Sequence, residues 1–159
     1  MYKRILLATD DSREGLVALR EGALLAVACG SKAFLLVIDL ESAGARVASG
    51  VYPVATKTNP DALLSLGLSR LSRLGVPATG QWAAGEPALI IADAARKFGA
   101  DLIVVGHRRQ TILERWWSGA SGAHIIDNVA CSVLIARKQI SDEDFEDLLA
   151  PLGPTSQPS

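Results

Sequence analysis

The sequence predicts one α/β domain, built on a single open five-stranded parallel sheet with helices on both faces. Three observations carry that reading. Five short apolar runs recur along the chain, each closed by a polar or glycine-containing turn. Between them lie segments whose apolar residues return at helical spacing, and the two patterns alternate as β-α-β-α-β-α-β-α-β. Such alternation calls for right-handed crossovers and a doubly wound sheet. A length of 159 residues suits one well-developed core, and 49% hydrophobic with 21% charged residues excludes a disordered chain.

The first run, Ile5 to Ala8, reads as a strand covered on both faces and closes in Thr9-Asp10-Asp11-Ser12. That polar cluster, Asp10 included, offers N-cap candidates for a helix marked by Leu16, Leu19, Ala23 and Val27 and stopped by Gly30. The second strand is Ala33 to Ile38, ending at Asp39. From Glu41 to Asn59 the pattern dissolves into a long loop, with Pro53 and Pro60 near its end. Leu64, Leu68 and Leu71 mark the next helix, ended by Gly75. Ala78 to Ala84 is a weaker strand, because Thr79, Gln81 and Trp82 interrupt it.

Gly85-Glu86-Pro87 then turns into an amphipathic helix with Ile91, Ala94, Ala95 and Phe98 on one face. Pro87 suits its first turn, where a missing N–H costs little. Gly99 closes this helix, and Leu102 to Val105 is the fourth strand, ending at Gly106. A polar loop from His107 to Ser118 follows, then the small residues 119–123, then a short helix with Ile125, Ile126, Val129 and Ala130. Val133 to Ala136 is the last strand.

The organisation is a domain over residues 1–138 and an acidic extension over 139–159, a short helix followed by a disordered end. Ser141 and Asp144 have capping-box spacing, and Phe145, Leu148, Leu149 and Leu152 form one apolar stripe. Asp142, Glu143, Asp144, Glu146 and Asp147 occupy the other face. The extension reads as a helix docked on the domain.

Composition narrows the partners. A formal net charge of −1 gives no general attraction to nucleic acid or to an anionic membrane. The apolar run after Met1-Tyr2-Lys3-Arg4 is too short for a signal-peptide core, and no stretch approaches a membrane span. Two cysteines, Cys29 and Cys131, make neither a disulfide framework nor a metal cage; they read as small buried hydrophobes. A reducing cytoplasm is the expected compartment.

In open α/β sheets ligands favour the crevice beyond the carboxyl ends of the strands, where the strand order reverses. Three segments meet there: 8–12 after the first strand, 37–39 at the end of the second, and 106–122 after the fourth. The last combines glycines, arginines and a helix N-terminus, the features that admit a phosphate. His107 and His124 are the only histidines, and neither lies in a triad context. No metal cage or acid–base pair can be nominated, so no catalytic residue is expected. Trp116 and Trp117 read as packing for their loop rather than a lid or partner contact.

Several stretches together resemble one family. Ile5-Leu-Leu-Ala-Thr-Asp-Asp-Ser12, the Gly85-Glu-Pro turn, Asp101-Leu-Ile-Val-Val-Gly-His-Arg-Arg109 and Cys131-Ser-Val-Leu-Ile-Ala-Arg137 are similar to the universal stress proteins. The resemblance covers roughly residues 2–138 and leaves the tail unexplained. It implies a Rossmann-like fold of the adenine-nucleotide-binding type, and dimerisation edge to edge through the last strand, Ser132, Val133, Leu134, Ile135 and Ala136. It also implies an ATP site, with magnesium accompanying the nucleotide, for members that carry glycine, two residues, glycine, nine residues, glycine and a hydroxyl residue.

Here Gly106 and Gly119 match that pattern, whereas Arg109 replaces the second glycine and Ala120 the hydroxyl residue. A Cβ at Arg109 disfavours positive φ by ~1–2 kcal/mol, and a lost hydroxyl contact to phosphate removes ~1.5–3 kcal/mol. His107, Arg108 and Arg109 bring donors to the loop, Ser121 a displaced hydroxyl, and residues 119–122, Gly122 among them, backbone amides. The resemblance further places Asp10 near ribose and phosphates, with backbone groups around Ala8 and Val37 facing adenine. Thr9 and Ser12 complete that strand-to-helix turn. Asp11 stands where the family often has glycine and adds negative charge.

Three functions follow in order. The first is a regulatory stress-response protein whose adenine-nucleotide occupancy changes its dimer or partner contacts. The second is a nucleotide-independent stress-response homodimer acting through an unknown protein partner. A slow nucleotide hydrolase ranks last, for want of a metal-holding pair or a positioned base.

Overall fold

The computed structural model describes residues 1–10, 13–39, 59–106, 129–137 and 140–152. Five parallel strands form one sheet: β1 (Arg4–Asp10), β2 (Lys32–Asp39), β3 (Ala78–Ala84), β4 (Leu102–Gly106) and β5 (Ser132–Ala136), in the order β3-β2-β1-β4-β5. The described helices are α1 (Arg13–Ala18), α2 (Arg20–Cys29), α3 (Pro60–Arg73), α4 (Pro87–Phe98) and α5 (Asp142–Leu149), the last followed by a 3-10 turn at Ala150–Leu152. β1 is central, and every one of its residues from Ile5 to Asp10 is buried.

Alternation along β1 sorts side chains to two cores, as period two requires. Ile5 and Leu7 join Leu35, Val37 and Val104 under α1, α2 and α3, packed on Leu16, Leu19, Leu63 and Leu71. Leu6 and Ala8 join Leu36, Ile38, Ile103 and Val105 under α4, packed on Ala88, Ile91, Ala94 and Ala95. A sheet covered on both faces explains why its central strands read as unbroken apolar runs.

The amino ends of the strands are held together by side chains. The Asp101 carboxylate accepts from the Lys3 amide at 2.7 Å and the Arg4 amide at 3.1 Å, while Ser31 donates to the Tyr2 carbonyl at 2.8 Å. Gly30 and Gly99 end α2 and α4 in the left-handed region, at φ 59° and 68°, which a side chain would penalise.

The structure amends the sequence reading at several places. The ladder extends β1 to Arg4 and Asp10 and β2 to Lys32 and Asp39, since backbone pairing continues past the apolar residues. The first predicted helix is two helices, α1 and α2, separated by a turn at Leu19. Pro60 belongs to the first turn of α3, capped by the Asn59 side chain, rather than to the preceding loop. The buried line of α3 is Leu63, Gly67 and Leu71, with Leu64 and Leu68 only half-buried beside it. Val129 and Ala130 are not helical, and residues 125–128 lie outside the described ones. Cys29 and Cys131 are half-buried free thiols, and the last strand begins one residue earlier than predicted, at Ser132.

The tail helix packs against the domain. Ser141 Oγ accepts from the Asp144 amide at 3.0 Å, Ile140 is buried, and Phe145 packs against the core below α2. Leu148, assigned to the apolar stripe, instead has 43% of its surface exposed. Residues 41–58 of the expected loop 41–59, and the expected disordered end, 153–159, lie outside the described residues.

Candidate functional site

β1 pairs with β2 on one side and β4 on the other, and the chain runs on from β1 to β2 but from β4 outward to β5. Connections leaving neighbouring strands therefore diverge at the carboxyl ends of β1 and β4, which opens a crevice there. Register brings the predicted residues to that edge. Ala8 is the direct partner of both Leu36 and Val105, Thr9 of Val37, and Asp10 of Ile38, while Gly106 ends β4 beside Ala136.

Burial marks the edge as chemically distinct. Among the described residues four polar or charged side chains are buried, and three of them, Thr9, Asp10 and Asp39, close β1 and β2. Polar groups are costly to bury, so their concentration at one end of an otherwise leucine- and valine-rich sheet points to a ligand-facing edge. Thr9 is 1% exposed, and its hydroxyl is the buried side-chain polar atom without a hydrogen-bond partner. By strand alternation Thr9 and Asp39 belong to the α1–α3 face and Asp10 to the α4 face. Carboxylates thus approach the crevice from both faces.

Asp10 is the last residue of β1, two positions short of the one preceding α1. Gly106 has a packing reason for being glycine: a Cβ there would lie 3.1 Å from the Gly15 carbonyl oxygen and 3.3 Å from Ala18 Cβ. The close approach of β4 to α1 disfavours a side chain there, independently of any phosphate beyond it. Asp39 lies at the crevice edge with its segment, as the strand ends predict, but its burial adds a second carboxylate there that no motif marks.

Ala8, Thr9, Asp10, Val37 and Gly106 thus share one edge. Ser12, His107, Arg108, Arg109, Gly119, Ala120, Ser121 and Gly122, with Trp116 and Trp117, lie outside the described residues. Among the described residues no group of three or more His, Cys, Asp or Glu could hold a metal ion. Nor is any described helix long and apolar enough to cross a membrane.

The expected interface strand, β5, is an edge of the sheet, with Ser132 exposed and Val133, Leu134 and Ile135 half-buried. Ala136 is wholly buried within its own domain, so it presents no accessible surface to a neighbour.

Comparison with known proteins agrees with this architecture. The universal stress protein family matches residues 1–137. A universal stress protein A homolog of Haemophilus ducreyi is 29% identical over 147 residues, covering 85% of this chain and 96% of that protein. A universal stress protein crystallised in complex with cAMP superposes with a TM-score of 0.59 at 21% identity, covering 84% of this chain and 95% of the other. The universal stress protein of Archaeoglobus fulgidus in complex with dAMP gives 0.53 at 19% identity, covering 86% and 98%. These two structures share the fold.

Proposed function

The chain belongs to the universal stress protein family, and on that premise we propose that it binds an adenine nucleotide at the carboxyl edge of β1, β2 and β4. The observation that carries the reading is the buried, unpartnered Thr9 hydroxyl beside Asp10, at the point where the strand order reverses. An orphaned hydroxyl costs about 1–3 kcal/mol of desolvation, a cost that a ligand donor or acceptor would offset. The bound cAMP and dAMP of the two structural neighbours support adenine as the base.

In this reading backbone groups at Ala8 and Val37 face the adenine, Asp10 the ribose, and the loop from Gly106 to Gly122 the phosphates. A di- or triphosphate brings its own magnesium, since the described residues supply no cage for one. The role is regulatory binding in the stress response rather than catalysis, in the cytoplasm. Occupancy is read out through a homodimer formed along β5, whose exposed edge offers unpaired backbone groups to a second copy. Arg109 and Ala120 depart from the family's phosphate pattern: if they block phosphate they favour the second reading, a dimer that works without nucleotide, and if Arg108 or Arg109 engages phosphate they favour the first.

Amide chemical shifts recorded during an AMP titration test the site. Shifts gathered at residues 8–10, 37–39 and 106 support it. Shifts elsewhere, with that edge unmoved, refute it.

A further inference from the structure

Away from the carboxyl edge, a cavity of about 290 Å³ lies between α2, α3 and α5. Its floor is the directly paired Leu7 and Leu35 of the central sheet, and Leu71, Leu74 and Phe145 line it further. Its volume falls at the lower end of ligand sites, which span roughly 300–1,000 Å³. The cavity owes one wall to the tail: Asp142, Phe145 and Glu146 all come from beyond the segment that matches the family.

The rim is charged and unbalanced. Arg20 is paired with Asp142, so those two charges answer each other. Arg70 and Arg73, exposed on the last turn of α3, also line the cavity and have no ion pair among the described residues. Glu146 is the one remaining carboxylate on the lining. Two unpaired guanidinium groups against one carboxylate leave one positive charge, above a floor of leucine and phenylalanine. An apolar body would exclude water from the leucines, and a planar monoanion would suit the guanidinium fork. A dianionic phosphate would meet Glu146 with twice the charge.

We propose that this cavity binds an amphipathic monocarboxylate, its hydrocarbon or aryl body on Leu7 and Leu35 and its carboxylate at Arg70 and Arg73. The site is separate from the nucleotide edge and does not depend on it. The tail helix is its wall, which gives the appended segment a function that the fold alone does not require.

Sodium octanoate titrated into the full-length protein, followed by leucine methyl NMR, provides the test. The Leu7 and Leu35 methyls shift saturably with one equivalent, and octanol binds about tenfold more weakly, for lack of the charge-assisted contact. The double variant Arg70→Gln/Arg73→Gln, altered only at exposed positions, weakens octanoate by about tenfold and leaves octanol unchanged. Equal binding of octanoate and octanol overturns the proposal, as does retention of octanoate affinity in the double variant. So do shifts confined to the exposed Leu89 and Leu148 methyls without saturation.

Discussion

The guanidinium of Arg20, on α2, lies over the ring of Phe145, on α5, 5.4 Å from its centroid. The same group donates to the Ile140 carbonyl at 2.7 Å and pairs with Asp142. One side chain therefore holds the start, the cap region and the apolar face of the tail helix. Asp142 is 91% exposed, so its ion pair contributes little; the stacking and the carbonyl bond carry more. Together they amount to about 1–2 kcal/mol. Arg20→Met should speed amide exchange across residues 142–149 by about tenfold, while β1 and β4 stay protected. Unchanged exchange in α5 would show that the helix is held by Ile140 and Phe145 alone.

Two glycines facing Leu35 should respond oppositely to alanine. A Cβ at Gly80 would run into the Leu35 carbonyl oxygen, fixed backbone in the middle of the sheet, so Gly80→Ala should cost about 1–3 kcal/mol. A Cβ at Gly67 meets side-chain atoms alone, closest the Leu35 Cδ2 methyl, the flexible end of a side chain that borders the cavity under α5, with Leu16 Cδ2 beyond it. Alanine there also gains about 1 kcal/mol of helix propensity, so Gly67→Ala should be close to neutral. Urea denaturation distinguishes the two; equal losses would mean that Leu35 cannot move into the cavity.

Thr9→Val removes a buried hydroxyl that has no partner while keeping the side chain's shape. Stability should hold or rise by about 1 kcal/mol in thermal unfolding. Affinity for adenine nucleotide should fall, because the variant has nothing to offer the ligand at that point. A substantial loss of stability would reveal that the hydroxyl is satisfied within the protein.

Burial pushes the Cys131 thiol above its ordinary range, and the Asp101 carboxylate adds to the shift. Its thiolate is thereby disfavoured, and alkylation by iodoacetamide at pH 8 should run more slowly than for a free thiol. The folded value lies above the unfolded one, so this group's contribution to stability is complete below the unfolded value. It is lost as pH rises through the folded value. Cys131→Ser should therefore flatten the alkaline decline in stability. An identical decline in both proteins would exclude Cys131 as its source.

How much of this was legible in the sequence differs by element. β3 is read at its true limits despite Thr79, Gln81 and Trp82, because the flanking turns define it and an edge strand tolerates exposed residues on both faces, Trp82 donating to Asp61 of α3. The close line of α3 on the sheet was missed because its central member is Gly67, which carries no apolar signal. The break at Leu19 was invisible since Leu16, Leu19 and Ala23 stay in phase across it, all buried in the same core. At the site, Ala8, Thr9, Asp10 and Gly106 could be placed together from strand ends alone, by the rule that ligands bind where strand order reverses. Asp39 lacked any motif, and its burial appears only once β2 is paired on both sides. The proposed phosphate loop, 106–122, is nominated by its glycines, arginines and position after a strand end, whereas the individual positions Gly106, Arg109, Gly119 and Ala120 gain meaning only against the family's pattern.

Calorimetric titration of AMP and ATP into nucleotide-stripped protein, with and without magnesium, tests the central claim most directly. The account predicts saturable one-to-one binding in about the micromolar range, tightened about tenfold or more for ATP by Arg109→Gly/Ala120→Ser. No heat from either nucleotide at millimolar concentration, in protein that remains folded, would contradict it and favour the alternative reading, a proposed β5-edge dimer acting without nucleotide.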